Sequence, residues 1–305
     1  MTFTPFQVRV PATTANLGPG FDSIGAALNL YQYTVVTPSL EWNIQYEEES
    51  HGCLPTDERN LILSTIRKME KQFNRQAPPA SLSVISQIPL SKGMGSSAAA
   101  IVTAIAIGDF LMSLSLSDSE KIKLACDIEG HPDNVSAAVL GGVTVSRYTK
   151  DEFSTLKLDT SEVSVLLLVP SHEMITADSR KIIPDEISHS SAIRTSAAAN
   201  LMIAAIMNKD WKTAGKMMEK DEYHEPYRAK SIDSFHQIRK EAGMLGAYAT
   251  TVSGAGPAII IFSNKEDLES LSSKLKDSFR DYSFINSAIS KTGCSIAPVY
   301  LKENV

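Results

Sequence analysis

"IPLSKGMGSSAAAI", residues 88–101, sets Gly93 and Gly95 in a tight turn, follows them with Ser96 and Ser97, and runs into helix-forming alanines. No G-x-x-x-x-G-K-[ST] phosphate loop can be traced through it. It does fit G-x-G-x-x-A through Gly93, Gly95 and Ala98, the weak form of a dinucleotide fingerprint. Such a fingerprint belongs between the first strand and first helix of a βαβ unit, with an acid about 20 residues on. Here the loop comes after several elements, and the nearest downstream acid, Asp109, falls inside an apolar helix. The dinucleotide fit is therefore poor, but the physics of an anion site survives. Glycines open backbone angles closed to other residues, so consecutive N–H groups can point at one anion. The helix that starts at Ser96 adds unsatisfied N–H groups and the positive end of its dipole. Taken alone, the segment is equally a strand-to-helix connection capped by serines.

The 305 residues, 43% hydrophobic and 21% charged, predict about two soluble domains with a cleft between them. A net charge of −6 argues against nucleic-acid binding, which normally needs a basic face. Cys53, Cys126 and Cys294 are scattered, odd in number and without metal-ligand spacing, as expected in a reducing, cytoplasmic compartment. The N-terminus carries no signal pattern. The apolar runs at 98–107 and 163–169 are too short to span a bilayer. A soluble cytoplasmic protein with no nucleic-acid or membrane partner is expected.

Along the chain, strands are predicted at 6–10, in the alternating "SLEWNIQYEEES" (39–50), in "SLSVISQIPL" (81–90) and in "VTVSRY" (143–148). Helices are predicted from Pro55-Thr56-Asp57 to Phe73, over 96–112 and over 119–129. The 96–112 helix is apolar almost all round, the mark of a buried helix. "TKDEFSTLKLDTSE" (149–162) reads as a polar connection into "VSVLLLVP", a short buried strand. Beyond it come a Met-rich helix over 194–219, another near 231–243, two strands around a glycine turn in "AYATTVSGAGPAIIIF", a helix over 265–279 and one C-terminal strand. Both halves mix strands and helices without regular βαβ alternation, which predicts α+β. The expected domains are 1–155 and 156–305.

Two further glycine loops, "PATTANLGPGFD" (11–22) and "SGAGPA" (253–258), are more elaborate than turns require. With the loop at 88–101 they resemble, in order, the three motifs of the GHMP small-molecule kinases. "PATTANLGPGFDSIG" and "EGHPDNVSAAVLGG" are similar to the forms found in the homoserine kinase branch. The resemblance spans about residues 8–260. It implies a ribosomal protein S5-like N-terminal domain, a ferredoxin-like C-terminal domain and an active site between them. The implied activity is Mg²⁺-dependent transfer of the ATP γ-phosphoryl group to the hydroxyl of L-homoserine in threonine biosynthesis, with a homodimer left open.

Carried over residue by residue, the resemblance assigns Ser91, Lys92, Gly93, Met94, Gly95, Ser96 and Ser97 to the ATP phosphates, and Asn60 to the nucleotide side. Ser97 also matches a Mg²⁺ position, with Glu129 as the expected carboxylate ligand and Asp127 as second choice. Lys92 either adds charge at the phosphates or is solvated. Asn16, Asp22, His131, Thr176, Arg180, Arg228, Ser253 and Gly254 fall at substrate-side positions. Their chemistry suits an amino acid: a carboxylate such as Asp22 pairs with an ammonium, and arginines engage a carboxylate bidentately. Asp133 and Asn134 fall near the reacting hydroxyl, with Asp133 as the base candidate and Asn134 as an orienting group. Ala258 stands where relatives often carry a serine, and the third motif is taken as architectural. The rival expectations are a GHMP kinase acting on another small alcohol and a GHMP-like protein that binds without catalysis.

Overall fold

The computed structural model describes residues 3–48, 51–160, 162–172 and 176–299. Its first sheet is built on β1 (Phe6–Ala15) and β2 (Ile24–Pro38), an antiparallel pair running in register from Phe6↔Val36 to Ala15↔Gly25. The register shifts between Pro11 and Ala12, where proline has no N–H for the ladder. β1 thus carries its strand past the expected 6–10 into the first glycine motif. β2, the longest strand, has no counterpart among the elements expected from sequence. Its first half, "IGAALNL", is filled with small residues instead of a clear alternation. Packing explains them: a Cβ on Gly25 would lie 2.0 Å from the Asp133 carbonyl oxygen.

β3 (Asn43–Tyr46) runs parallel to β4 (Ala80–Ser86), and α1 (Leu61–Phe73) makes the crossover between them. α1 begins at Leu61 rather than at Pro55, because Asn60 is its cap: the side chain accepts from the Ile62 N–H at 2.9 Å. α2 (Ser96–Met112), α3 (Asp118–Glu129) and α4 (Asp133–Leu140) follow. α2 is buried along nearly its whole length, as its composition requires. β5 (Val143–Tyr148) pairs with the start of β2, and β6 (Phe153–Leu158) pairs with β5 at the sheet's edge. The expected polar connection is thus partly an edge strand, with Ser154, Leu156 and Lys157 left exposed.

The second sheet has the order β10-β7-β9-β8, all antiparallel. It comprises β7 (Ser164–Pro170), β8 (Ala249–Val252), β9 (Ile259–Ser263) and β10 (Tyr282–Ala288). Every residue of β7 is buried, which a one-sided sheet cannot achieve. Val165, Leu167 and Val169 join the large core shared with the first sheet, α6 (His189–Met207) and α7 (Trp211–Met218). Leu166 and Leu168 join a second core with α9 (Phe235–Met244) and α10 (Leu268–Ser278). The Met-rich segment is two helices, not one: Lys209 takes φ 61, and Asp210 caps α7 by accepting from the Thr213 N–H at 3.0 Å. Two short helices, α5 (Thr176–Lys181) and α8 (Glu225–Arg228), carry cleft residues. The C-terminal segment also holds two strands, since β11 (Ser295–Pro298) returns to pair with β1. The architecture is a two-domain α+β fold, and no helix among the described residues is long and apolar enough to cross a membrane.

Because both faces of β7 are covered, Leu167→Ala and Leu168→Ala should each cost about 2–5 kcal/mol in urea unfolding. A near-neutral result at either position would contradict the two-sided burial.

Candidate active site

The three glycine motifs form one hydrogen-bonded unit. The Thr13 N–H donates to Met94 O at 3.1 Å, Gly254 N–H to Ala15 O at 3.2 Å, and Ala258 N–H to Lys92 O at 3.2 Å. The buried Ser253 hydroxyl donates to Gly93 O at 2.8 Å, and its oxygen lies 3.0 Å from Thr14 Oγ1. Ser91, Gly93 and Gly95 take φ of 55, 73 and 72, the left-handed region that turns successive N–H groups to one side. Gly93 is required twice over, since a Cβ there would also lie 2.1 Å from Ser253 O. Gly95 caps α2 with backbone alone, which leaves the first N–H groups of the helix without a side-chain acceptor beside the cleft.

This unit walls a cleft of about 440 Å³. Asn60 lines it together with Tyr46, Leu54, Pro55, Pro89 and Leu90, a largely apolar group. The Asn60 amide donates to Tyr46 Oη at 2.9 Å and to Pro55 O at 2.6 Å, so this residue holds the wall together while capping α1. Lys92 is 8% exposed, and its ammonium donates to the carbonyls of Ser171 at 2.8 Å and His172 at 2.5 Å. It is therefore not solvated, and its contacts tie the central loop to the segment before α5.

At the start of α2 the Ser97 hydroxyl donates to Glu129 Oε2 at 2.8 Å. Burial pushes the Glu129 carboxyl above its ordinary range, against the Ser97 hydrogen bond and the nearby His131, which lower it. Glu129 lines the cleft and Asp127 does not; the Asp127 carboxylate accepts from the Tyr148 hydroxyl at 2.7 Å.

The start of α4 supplies a second polar group. Asp133, buried, accepts from His131 Nδ1 at 2.8 Å and from the Asn134 N–H at 2.7 Å, while Asn134 Oδ1 accepts from the Thr13 hydroxyl at 2.7 Å. Burial works to lower the His131 pKa, but the Asp133 hydrogen bond and the charges of Asp133, Glu129 and Asp22 outweigh it and the net shift is upward. Ligand atoms of Asp22, His131 and Asp133 all lie within 4.8 Å of one another. Asp22 in turn forms a bidentate pair with Arg180, at 2.8 and 2.7 Å. Arg228 is 2% exposed and donates to Gly254 O at 3.0 Å, the same carbonyl that accepts from Asn16 Nδ2 at 3.0 Å. Burial, then the charge of Arg180, pushes its pKa down to about 10, which leaves it protonated at neutral pH.

All of the residues expected at the site line this cleft, with two exceptions. Ser253 stands behind the wall as the peg between motifs, and Thr176 has a side chain outside the described residues. Sequence reasoning missed Thr13, which holds Asn134, and Phe21, whose ring centroid lies 5.2 Å from Arg180 Cζ and 5.3 Å from Arg228 Cζ. Both lie inside the quoted first motif. Tyr46, on edge strand β3, carried no such signal.

Comparison with known proteins agrees with this geometry. Residues 60–142 match the family described as GHMP kinases N terminal domain, and residues 202–281 match GHMP kinases C terminal. The chain is 41% identical over 274 residues to a homoserine kinase of Bacillus velezensis, covering 90% of this chain and 89% of that one. It is 39% identical over 293 residues to a homoserine kinase of Bacillus cereus, covering 96% and 97%. Among solved structures, homoserine kinase from Cytophaga hutchinsonii superposes with a TM-score of 0.86 at 25% identity, covering 97% and 98%.

Gly93→Ala and Gly130→Ala separate backbone strain from steric clash. Gly130 has φ 91 and nothing within 4 Å of the place a methyl group would take, so alanine there meets strain alone, about 1–3 kcal/mol. Gly93→Ala adds a backbone clash and should lower the urea midpoint much further. Equal losses would show that the central loop can move away from Ser253.

Proposed function

The chain belongs to the GHMP kinase family and, within it, to the homoserine kinases; we propose that its cleft transfers the γ-phosphoryl group of ATP to the hydroxyl of L-homoserine. It is an ATP-dependent phosphotransferase with an alcohol acceptor. The observation that carries the substrate assignment is the Asp22–Arg180 pair. These two side chains are 34% and 43% exposed, and a pair so exposed contributes only about 0–1 kcal/mol. A substrate with both an ammonium and a carboxylate can replace it group for group at little cost. The ammonium goes to Asp22, beside Asp133, and the carboxylate to Arg180 and Arg228. A sugar supplies neither charge, and mevalonate supplies only one.

The central loop and the start of α2 cradle the triphosphate through N–H groups and the Ser96 and Ser97 hydroxyls. The apolar wall beside Asn60 takes the base. Ser97 and Glu129 offer the hard oxygen donors that suit Mg²⁺, and their 2.8 Å contact puts both at the edge of the phosphate loop. Bound there, the ion supplies charge neutralisation for the phosphoryl oxygens. Asn134, held by Thr13, orients the acceptor hydroxyl, and Asp133 stands next to it as the proton acceptor. A loose transition state asks for positioning and charge more than for a strong base, so Asp133 contributes chiefly by fixing His131 and Asn134. A place in threonine biosynthesis follows from the substrate. The three cysteines, none of them in a disulfide, suit a reducing cytoplasm.

Mg²⁺-dependent ADP release should be fast with L-homoserine and far slower with mevalonate or galactose; comparable turnover on mevalonate would overturn the substrate assignment. Arg228→Gln should raise KM for L-homoserine by about 10- to 100-fold, the loss of one charge-assisted hydrogen bond, with KM for ATP little changed. Glu129→Gln should weaken the apparent Mg²⁺ affinity while leaving the thermal midpoint of the Mg²⁺-free protein near that of the parent.

A further inference from the structure

His224 lies outside the set of residues expected at the site, yet it is completely buried behind the substrate wall. Its Nδ1 is 3.2 Å from Arg228 Nη1, and its Nε2 is 2.9 Å from the carbonyl oxygen of Gly18 in the first motif. A guanidinium only donates hydrogen bonds and a carbonyl only accepts them. One protonation state satisfies both contacts: a neutral imidazole with its proton on Nε2. The other tautomer would set N–H against N–H on one side and lone pair against carbonyl on the other. The imidazolium would leave Arg228 facing a donor.

The surroundings hold the ring in that orientation. The Asp221 carboxylate accepts from the N–H groups of Tyr223, His224 and Glu225, at 2.8, 3.0 and 2.7 Å, and fixes the start of α8. The Phe21 ring stacks on the imidazole at 5.1 Å and also faces the Arg228 guanidinium. Arg228 itself has few anchors. Its Nη1 donates to Gly254 O, and its buried Nε has no partner among the described residues. A closed circuit of hydrogen bonds results, from Gly18 through His224 and Arg228 to Gly254 and back to the first motif at Asn16.

We propose that His224, as the neutral Nε2–H tautomer, is a positioning residue that aims Arg228 at the carboxylate of the substrate. This rests on the reading of Arg228 as a carboxylate-binding residue. A buried guanidinium on a flexible stem loses rotamer freedom when it is aimed in advance, and a lone pair at Nδ1 does that aiming without neutralising the charge the substrate needs. His224 touches no reacting atom, so its effect should appear in substrate affinity rather than in the nucleotide site.

Two substitutions divide its hydrogen bonds. His224→Asn keeps an acceptor near the place of Nδ1 and gives up the contact with Gly18. His224→Gln keeps a donor near the place of Nε2 and gives up the acceptor for Arg228. With Arg228→Gln as reference, KM for L-homoserine and for ATP, calorimetric L-homoserine affinity and Tm are measured for all three. The expected result is a rise of about 5- to 10-fold in KM and Kd for L-homoserine in His224→Gln, and less than about 2-fold in His224→Asn, with KM for ATP constant in both. Equal effects of the two variants on L-homoserine, or a parallel rise in KM for ATP, would overturn the proposal and leave His224 a packing residue. If Arg228→Gln weakens L-homoserine binding and His224→Gln does not, the positioning role falls while the substrate reading stands. If Arg228→Gln leaves L-homoserine binding unchanged, both fall.

Discussion

The contact on which the site depends is between two motifs 160 residues apart: the Ser253 hydroxyl on the carbonyl of Gly93. It is possible only because Gly93 has no Cβ, since any larger residue would drive into Ser253 O at 2.1 Å. With that contact made, the left-handed turns at Gly93 and Gly95 are held in place, and the carbonyls of Gly93 and Lys92 are satisfied by Ser253 and Ala258. A buried carbonyl left without a donor would cost about 1–3 kcal/mol. The central loop is thus held by partners that approach it from the side away from the cleft. Such preorganisation is what phosphoryl transfer asks of a protein.

The same economy governs the charges. The exposed ionic pair, Asp22–Arg180, is the one that can be opened at little cost, and the buried cation, Arg228, is held by a carbonyl and an imidazole rather than by a carboxylate. A carboxylate partner on Arg228 would compete directly with that of a substrate. Neutral acceptors leave the charge available while meeting part of its desolvation cost. Lys92 is held likewise, its ammonium donating to the neutral carbonyls of Ser171 and His172.

How much of this was legible in the sequence differed by element. The glycine motifs announced themselves, because left-handed backbone and close approach leave few residue types to choose from. α2 was legible from composition, and β7 from its unbroken apolar run. β2 was not, since its small residues answer to α4 packed on them, a contact made across more than 100 positions of chain. The break between α6 and α7 rests on one left-handed lysine and one capping aspartate, too little to interrupt a helical pattern read by periodicity. Thr13 and Phe21 lie inside the first glycine motif, yet their value lies in what they touch: Asn134 in one case, two arginines in the other.

By itself the sequence determined the α+β class, the family, and most of the polar and glycine residues that gather at the cleft, because each needs a particular side chain or a particular absence of one. Only the tertiary structure decided what those residues do to one another. It set Glu129 rather than Asp127 beside Ser97, engaged Lys92 with the carbonyls of Ser171 and His172, paired Asp22 with Arg180, and put the His224 ring behind Arg228. These outcomes turn on distances of a few ångströms between segments far apart in the chain. Hydrogen-bond and Coulomb energies change over just that range, and no pattern of residue types along one strand or helix encodes it.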